Sequence, residues 1–267
     1  MKRYQAFKYE LKPNGEQQRL MRRFVGSCRF VFNKALAIQS ERYERSEKKL
    51  GFVGLCKLLT EWRNSADTQW LKDMPVHPQQ QKLMDLERAY VNFFAKRANF
   101  PRFKRKGEQD SFRYPDPKQI KLDQVISRIR LPKLGWLRYR NSRPVIGTIR
   151  HVTVSANGNK WFVSIQTVRE IETTTHPSSS IVGVDLGISR FATLSDETVY
   201  LPISSYSKHK KRLAFLQRRM SRKQRFSANW KKTKSHVQKL HTKIANSRHD
   251  FLHKITTDIS KNHAIVI

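Results

Sequence analysis

The excess of cationic side chains constrains this chain more than any other feature of its sequence. Lys and Arg contribute 54 of its 267 residues, Asp and Glu contribute only 21, and the formal net charge is +33. A compact body that carries so much like charge is destabilised by its own repulsion unless a polyanion neutralises it. Nucleic acid is the usual polyanion, and each neutralised phosphate also releases condensed counterions. The charge therefore predicts a protein that binds nucleic acid.

The apolar composition argues against an unfolded basic tail and against a membrane-surface protein. Hydrophobic residues make up 38% of the chain, which includes 15 Phe, 8 Tyr and 5 Trp. Disordered basic tails contain few aromatic residues, whereas this composition can form hydrophobic cores. No stretch approaches the roughly 20 apolar residues of a membrane-spanning helix, and the N-terminus lacks the features of a signal peptide. We therefore expect a folded protein of the cytosol or nucleoid, with no membrane partner.

The chain has only two cysteines, Cys28 and Cys56, so we expect neither a zinc ribbon nor a disulfide framework. They form no C-x-x-C pair, which a zinc ribbon requires. The sequence therefore predicts no zinc ribbon in this chain. Both thiols are expected to be small buried hydrophobes.

Changes in hydrophobic period predict an α+β protein with several domains. Residues 4–11 alternate as a strand, and a helical period over residues 16–99 then predicts a helical bundle. Residues 100–172 contain short candidate strands separated by turns, which are typical of small oligonucleotide-binding barrels. Because the first strand can join that barrel, we expect a discontinuous β-barrel of residues 1–15 and 100–172, with the helical bundle inserted between its strands.

The last part of the chain, residues 181–267, is predicted to begin and end with strands. Short apolar strands surround residues 183–187, Gly-Val-Asp-Leu-Gly, and a long basic helical region follows from about residue 206 to 261. The final residues 264–267, Ala-Ile-Val-Ile, are expected to start another buried strand. This order of elements predicts a third structural unit.

Asp185 is the residue of this unit whose position is most suggestive of chemistry. It ends an apolar strand just before Gly187, which is how ribonuclease-H-like folds present their first metal-binding carboxylate. Two divalent cations about 3.5–4 Å apart can stabilise the attacking and leaving oxygens of a phosphodiester, but they require several converging carboxylates. Asp also begins tight turns readily, without any catalytic role. The pattern by itself favours the turn interpretation over the metal-ligand interpretation.

The helical region that follows is basic along almost its whole length. Apolar positions such as Leu213 and Leu216 mark one buried stripe, and the cations are opposed only by Asp250 and Asp258. Residues 221–230 interrupt the stripe and are expected to form a basic loop. A run of one charge sign is often just a solvated face, but solvated faces normally mix both signs. The sequence therefore favours a surface that binds the phosphodiester backbone.

Aromatic residues alternate with Arg and Lys in residues 100–105 and 112–114. Such aromatic rings could stack on bases with little sequence preference. They could equally belong to the core of the barrel, with the basic residues on its exterior. The sequence leaves these two interpretations open.

Several motifs resemble those of the TnpB family, insertion-sequence proteins related to type V CRISPR effectors. They occur in the family's order at residues 26–33, 100–104, 183–187, 216–223 and 248–254. Arg29 and Asn33 match fixed positions of the family's G-x-x-R-x-x-x-N helix, and the second stretch resembles its P-x-F-K motif. The third resembles the first motif of the RuvC nuclease domain. The last two resemble the family's L-Q-R-x-L-S-R-K and R-x-D-F-x-H-K stretches.

This resemblance implies a wedge-type β-barrel with an inserted helical recognition domain, followed by a ribonuclease-H-like RuvC domain. It implies RNA-guided cleavage of double-stranded DNA with Mg²⁺ and a guide RNA derived from the element. In such effectors base pairing selects the target, while the protein contacts duplex shape and backbone. Asp185 then becomes the first metal ligand and catalytic carboxylate. The residues expected to contact nucleic acid are Arg29, Asn33, Arg102, Lys104, Arg105, Arg218, Arg219, Arg222, Lys223, Lys231, Lys232 and Arg248.

The sequence departs from the family pattern at residues 264–267, after which the family's catalytic Glu would be expected. The family's zinc-ribbon cysteines and final RuvC aspartate would come later still. One carboxylate cannot assemble a two-metal centre. We therefore expect a C-terminally truncated member with an incomplete RuvC domain, defective in cleavage. A nuclease-dead, RNA-guided DNA-binding protein or repressor is the alternative, and Asp185 argues against a general RNA-binding structural protein.

Overall fold

The computed structural model describes residues 1–158, 160–172 and 175–267. They form two compact units, Met1–Ile171 and Glu172–Ile267. Helices accompany a large antiparallel sheet, which confirms the predicted α+β class. Within the described ranges, no helix is both long and apolar enough to cross a membrane.

The first unit is built on a seven-stranded antiparallel sheet with the order β2-β6-β7-β1-β5-β4-β3. The strands are β1 (Lys2–Lys12), β2 (Ser111–Tyr114), β3 (Lys121–Asp123), β4 (Arg128–Leu131), β5 (Gly135–Tyr139), β6 (Thr148–Asn157) and β7 (Lys160–Glu170). Strand β1 pairs with β7 along residues 2–11 and with β5 at Leu11 and Lys12. The first strand of the chain therefore lies near the middle of a sheet whose other strands come more than 90 residues later.

The sheet does not close into the predicted barrel. Among the described residues, pairing ends at β2 on one side and at β3 on the other. Strands β3, β4 and β5 are only three to five residues long, and they join β1 through its last two residues. Helix α1 (Gly15–Glu44) contributes Met21, Phe24 and Cys28 to the core of the sheet, where they are buried with Phe112. Because a helix supplies this apolar surface, the outer strands bury the core without pairing with each other.

Helix α1 begins with a complete capping box. The Asn14 side chain accepts the Gln17 N–H at 2.8 Å, and the Gln17 side chain accepts the Asn14 N–H at 3.1 Å. Such reciprocal bonds satisfy backbone donors that the first helical turn leaves open. The Gln17 amide also donates to the carbonyls of Leu134 and Trp136. The start of the helix is therefore defined by its local sequence and anchored to the sheet.

The same helix continues into a second core, which it shares with α2 (Phe52–Asn64) and α3 (Val76–Phe94). A short 3-10 helix, Ala66–Asp73, connects α2 to α3. The buried side chains of this bundle include Val31, Phe32, Leu36, Leu55, Leu59, Leu71, Leu83 and Leu86. The sheet and the bundle are thus joined by one continuous helix.

The second unit has short strands at its two ends and two long basic helices between them. Its elements are the strands β8 (Ile181–Val182), β9 (Val184–Leu186), β10 (Ala192–Leu194), β11 (Val199–Tyr200) and β12 (Ile265–Val266) and the helices α4 (Ser205–Ser221) and α5 (Ala228–Asn262). Strands β9, β10 and β11 form an antiparallel sheet, whereas β12 pairs with β8 in parallel. Strand β12 lies within residues 264–267, where a buried strand was predicted, and its pairing brings the two ends of the unit side by side. Its side chains are exposed rather than buried, because among the described residues this strand pairs only with the two-residue strand β8.

Two small hydrophobic clusters hold this unit together. The first joins α4 to α5 through Leu213, Leu216, Val237, Leu240 and Ile244. The second joins the strands to the end of α5 through Val182, Leu194, Ile255 and Ile259. The unit therefore combines strands and helices. Its assignment to a RuvC domain stays a prediction. The same holds for the wedge and recognition domains of the first unit and for the predicted domain boundaries.

Candidate nucleic-acid interface

Asp185 lies in β9, opposite Thr193 of β10. The parallel pair β8–β12 continues directly into this region. The Ile267 N–H donates to the Val182 carbonyl at 2.9 Å, and the Val184 N–H donates to the Ile267 carbonyl at 2.8 Å. These two bonds bring the end of β12 beside the residue that precedes Asp185.

The Asp185 side chain is exposed in an open depression of about 680 Å³. Thr193 and Ser195 line this depression from the neighbouring strand. Gly187 is needed in the turn because a Cβ at this position would lie 2.9 Å from the Arg190 carbonyl oxygen. Gly187 thus has a structural role in the turn, whereas Asp185 lies within β9 and its carboxylate is accessible to a ligand.

The described residues do not provide a complete metal centre around Asp185. No group of three His, Cys, Asp or Glu side chains converges in the part of the chain that the structure describes. Asp258 accepts from the Tyr200 hydroxyl at 2.5 Å, and Asp196 accepts from the Thr198 N–H at 3.0 Å. These bonds are the main reason that the pKa of Tyr200 is raised to about 12 and that of Asp196 is lowered. Because Mg²⁺ needs several oxygen ligands, Asp185 alone does not fit the predicted ion, and no catalytic step is assigned to it.

Two residues predicted to contact nucleic acid hold a loop against α1. The Asn33 Oδ1 accepts the Lys104 N–H at 2.8 Å, and its Nδ2 donates to the Lys104 carbonyl at 3.0 Å. Arg29 forms an ion pair with Asp110 at 3.3 Å. The G-x-x-R-x-x-x-N pattern therefore has a structural explanation, and direct contact of Arg29 and Asn33 with nucleic acid stays a prediction.

Lys104 is also partly withdrawn from solvent. Its ammonium lies 4.4 Å from the centroid of the Phe32 ring. Burial lowers its pKa, and the charge of Lys82 lowers it further. Arg102 and Arg105, by contrast, are exposed on the same segment. These two arginines are therefore better placed than Lys104 to reach a phosphate.

The sequence left open whether the aromatic residues of 100–105 and 112–114 stack on bases or belong to the core, and the structure gives a different answer for each stretch. Phe112 and Tyr114 are buried in the sheet core, so they cannot stack on bases. Phe103 is 58% exposed beside Arg102 and Lys104. Only the earlier stretch, residues 100–105, thus presents an accessible aromatic ring.

Helices α4 and α5 pack as a hairpin with a basic outer surface. The predicted contacts on it that are exposed are Arg218, Arg219, Arg222, Lys231, Lys232 and Arg248. No acidic residue occurs in the sequence between Glu197 and Asp250. The surface therefore keeps its charge and can gain affinity for phosphates by counterion release.

Lys223 differs from these neighbours because it fastens the loop between α4 and α5. Its ammonium donates to the Thr233 hydroxyl at 2.8 Å and to the Asn229 carbonyl at 3.3 Å. The Ser227 hydroxyl caps α5 by accepting the Trp230 N–H at 3.1 Å. Lys223 thus orders the loop, and its predicted contact with nucleic acid stays a prediction.

Two aromatic residues, one in this loop and one in the first turn of α5, join the basic surface and are not among the predicted contacts. Phe226 is 64% exposed and packs against Trp230 with ring centroids 5.6 Å apart. The Arg225 guanidinium lies 5.1 Å from the Phe226 centroid, and the Lys234 ammonium lies 5.1 Å from the Trp230 centroid. The sequence contained a usable signal, because both rings occur inside a run of Arg and Lys.

A second basic and aromatic surface lies along α1, where the predicted contacts Arg29 and Asn33 are joined by residues that were not predicted. Arg23, Phe30, Lys34 and Trp70 line a cavity of about 760 Å³. Phe30 and Trp70 meet edge to face with centroids 5.1 Å apart. Arg23 pairs with Asp73, so part of the charge on this surface is already neutralised.

Two family models match this chain. The model OrfB_IS605, described as "Probable transposase", matches residues 160–266, which comprise β7 and nearly all of the second unit. The model HTH_OrfB_IS605, described as "Helix-turn-helix domain", matches residues 1–49. Both models belong to the OrfB group of IS605 elements, and together they cover more than half of the chain.

Curated relatives align along the whole length of this chain. A protein named "Putative RNA-guided DNA endonuclease InsQ" from Escherichia coli K12 is 57% identical over 267 residues, which are 100% of this chain and 66% of that protein. A protein named "Putative RNA-guided DNA endonuclease" from Streptomyces pristinaespiralis is 32% identical over 264 residues, 98% of this chain and 65% of that protein. The chain belongs to the TnpB family.

This TnpB-family chain spans about two thirds of the length of these relatives. The residues matched by the helix-turn-helix model form β1 and most of the single long helix α1. The next helix, α2, begins only at Phe52. Residues 1–49 therefore lack the pair of helices with which such a motif enters the major groove.

Proposed function

We propose that this TnpB-family chain takes part in RNA-guided binding of DNA and that the α4–α5 hairpin contacts the phosphodiester backbone. The observation that carries the proposal is the unopposed charge of the hairpin, whose cations are exposed and whose sequence has no acidic residue between Glu197 and Asp250. Proteins that neutralise several phosphates gain affinity by counterion release. Pairing with a guide supplies the sequence selection that such a surface lacks.

The names of the relatives support RNA and DNA as the two partners. We expect the guide RNA to derive from the transposable element and the target to be double-stranded DNA. The exposed Arg102 and Arg105 of the first unit are candidate contacts in addition to the hairpin. This distribution gives both units a surface for phosphates.

Asp185 supports a nuclease ancestry for the second unit. In this proposal Asp185, on β9 next to the parallel pair β8–β12, occupies the position of the first metal-binding carboxylate of the family's nuclease domain. Because the described residues bring a single carboxylate to this place, we propose that the 267 residues by themselves bind DNA without cutting it.

A repressor is the second candidate function. The same combination favours it: a basic surface whose sequence has no acidic residue between Glu197 and Asp250, together with a single carboxylate at the nuclease position. Such a protein would occupy a guide-matched site and exclude other proteins from it. A reporter gene with a guide-matched promoter tests this function, because a repressor lowers its expression in the cell while the promoter DNA stays uncut.

Copurification and cleavage assays test the main proposal. The chain is expressed together with RNA from its element, purified, and assayed with guide-matched duplex DNA in the presence of Mg²⁺. We expect one discrete bound RNA, a shifted duplex band, and no cleavage. Asp185→Asn is the matched control, and we expect it to bind equally well.

Two results would contradict this proposal. Cleavage that Asp185→Asn abolishes would show that the 267 residues already form an active centre. Failure to copurify a discrete RNA, with the duplex shift unchanged by ribonuclease, would show that binding is not guided.

A further inference from the structure

We propose that the loop between α4 and α5, together with the start of α5, is a stacking platform for unpaired bases. The platform consists of Phe226 and Trp230 with their attendant cations Arg225 and Lys234, and we call these four residues the aromatic tip. This inference rests on the proposed function and adds a partner class, single-stranded nucleic acid, for a named site.

The two rings of the aromatic tip do not cover each other's surfaces. Phe226 and Trp230 meet at an interplanar angle of 58°, and 64% of Phe226 stays exposed. Burial of a phenylalanine ring away from water is stabilising, and most of the Phe226 ring lacks this stabilisation. Its surface is therefore available to the planar face of a base, and base–aromatic stacking tolerates any sequence.

The backbone of the loop holds Phe226 in an unfavourable conformation. Its φ is +70°, in the left-handed region that is sterically costly for a bulky side chain. Glycine adopts this region without that cost. Strained residues persist only where their surroundings impose them, and they cluster at functional sites. The bonds of Lys223 to Thr233 and of Ser227 to Trp230 supply such surroundings on either side.

The charge around the aromatic tip identifies the occupant. Arg222, Lys231 and Lys232 are exposed next to it. When a base stacks on the rings, the phosphates of the adjoining nucleotides can reach these cations. A single strand is therefore complementary to both the rings and the cations. Bases inside a duplex are already stacked on each other and cannot use the rings. The surface therefore fits an unpaired strand of DNA or RNA rather than a duplex.

Direct binding of oligonucleotides to the full chain tests this inference. Anisotropy titrations use labelled oligothymidylate and oligouridylate of about 16 nucleotides and a duplex of the same length. We expect Phe226→Ala to weaken binding of the single strands about 5- to 100-fold. The duplex affinity should change by less than about twofold, because its bases are not available to the rings. Equal losses of affinity for oligothymidylate and oligouridylate indicate that the platform binds both DNA and RNA. A loss for one of them alone shows that the platform binds that nucleic acid.

Salt dependence separates stacking from phosphate contact. Phe226→Ala should leave the slope of log K against log salt unchanged, whereas Arg222→Gln should reduce it by about 0.7 on a single strand. Phe215→Ala is the matched control, because Phe215 is 56% exposed on α4 away from the loop. We expect this control to bind like the parent chain.

Phe226→Gly guards against loss of folding. Glycine relieves the positive φ, so the Tm should be unchanged or higher while single-strand affinity falls as in Phe226→Ala. Parent-like binding by Phe226→Gly, an equal loss on the duplex, or absence of single-strand binding by the parent would each overturn the inference. The assay needs no guide, so a failure of the proposed guided function would show only in the copurification assay.

Discussion

In the first unit Arg42, Lys49 and Lys160 each form an ion pair with a glutamate, whereas the hairpin of the second unit has no acidic residue between Glu197 and Asp250. The same residue types therefore serve different purposes. Exposed pairs in the first unit reduce its charge but contribute little stability. The unopposed cations of the second unit repel one another until a polyanion binds.

The hydrophobic cores of the first unit are also larger than those of the second. In the first unit, Phe24 and Leu83 belong to two extended cores and are fully buried. In the second, the two clusters are small and their best-packed members retain slight exposure. A ligand that binds only the folded form adds stability in proportion to its affinity and concentration. We therefore expect the second unit to gain more stability from a bound polyanion than the first unit does.

The largest expected effect concerns the core in which α1 packs on the sheet. Phe24→Ala removes a fully buried ring that meets Phe112 edge to face at 5.7 Å. We expect a loss of about 3–5 kcal/mol in the free energy of unfolding of the first unit. Urea titration followed by circular dichroism measures this loss. Phe215→Ala, on the exposed side of α4, is the control and should change it by less than about 0.5 kcal/mol.

Equal results for these two phenylalanines would break the comparison. They would mean that α1 is not part of the sheet core, and the explanation for the open sheet would fail with it.

The second expected effect is on binding of phosphate backbone. A triple variant with Arg218, Arg219 and Arg222 changed to Gln loses three unopposed cations of the hairpin. We expect the salt slope on duplex DNA to fall by about 2.7, with an affinity loss on the order of 100-fold at about 0.1 M salt. Anisotropy titrations at several salt concentrations measure both quantities.

The matched control changes three paired cations of the first unit, Arg42, Lys49 and Lys160, to Gln. It removes the same formal charge, so a purely global charge effect would alter both triple variants equally. We expect a slope change below about one for the control, because its cations already have partners. Equal changes would show that location and pairing do not matter.

A third effect tests the structural role of a residue that the motif assigned to nucleic acid. Asn33→Ala removes both hydrogen bonds to the Lys104 backbone and should cost about 1–3 kcal/mol of unfolding free energy. Asn64→Ala, at the exposed end of α2, is the control and should be nearly neutral. A variant of Asn33 that folds normally but loses RNA affinity would reverse the assignment.

The smallest effect distinguishes two neighbouring cations of the hairpin. Lys223→Met loses the bond to the Thr233 hydroxyl and should cost about 0.5–1.5 kcal/mol of stability, measured as a lower Tm. Arg222→Met, at an exposed position, should leave the Tm unchanged but reduce the salt slope by about 0.9 on duplex DNA. The opposite pattern would assign Lys223 to the phosphates and Arg222 to the loop.

Local patterns in the sequence determined much of this protein. The Asn14–Gln17 capping box and the apolar stripe through Leu213 and Leu216 depend on residues close together in the chain. Net charge is a sum over residues, and the TnpB motifs are contiguous stretches. Such features can be predicted from the sequence because neighbouring residues alone produce them.

Tertiary structure decided which residues remain for function. Asn33 meets Lys104 across 71 positions of the chain, so its use inside the protein could not be seen in the motif. The barrel failed to close because α1 supplied apolar surface to the sheet from outside the strand pattern. Phe226 and Trp230 became one surface through the geometry of a capped loop. Burial and pairing between distant segments decide which polar and aromatic groups are consumed in folding and which stay available to a ligand, and no local pattern contains that information.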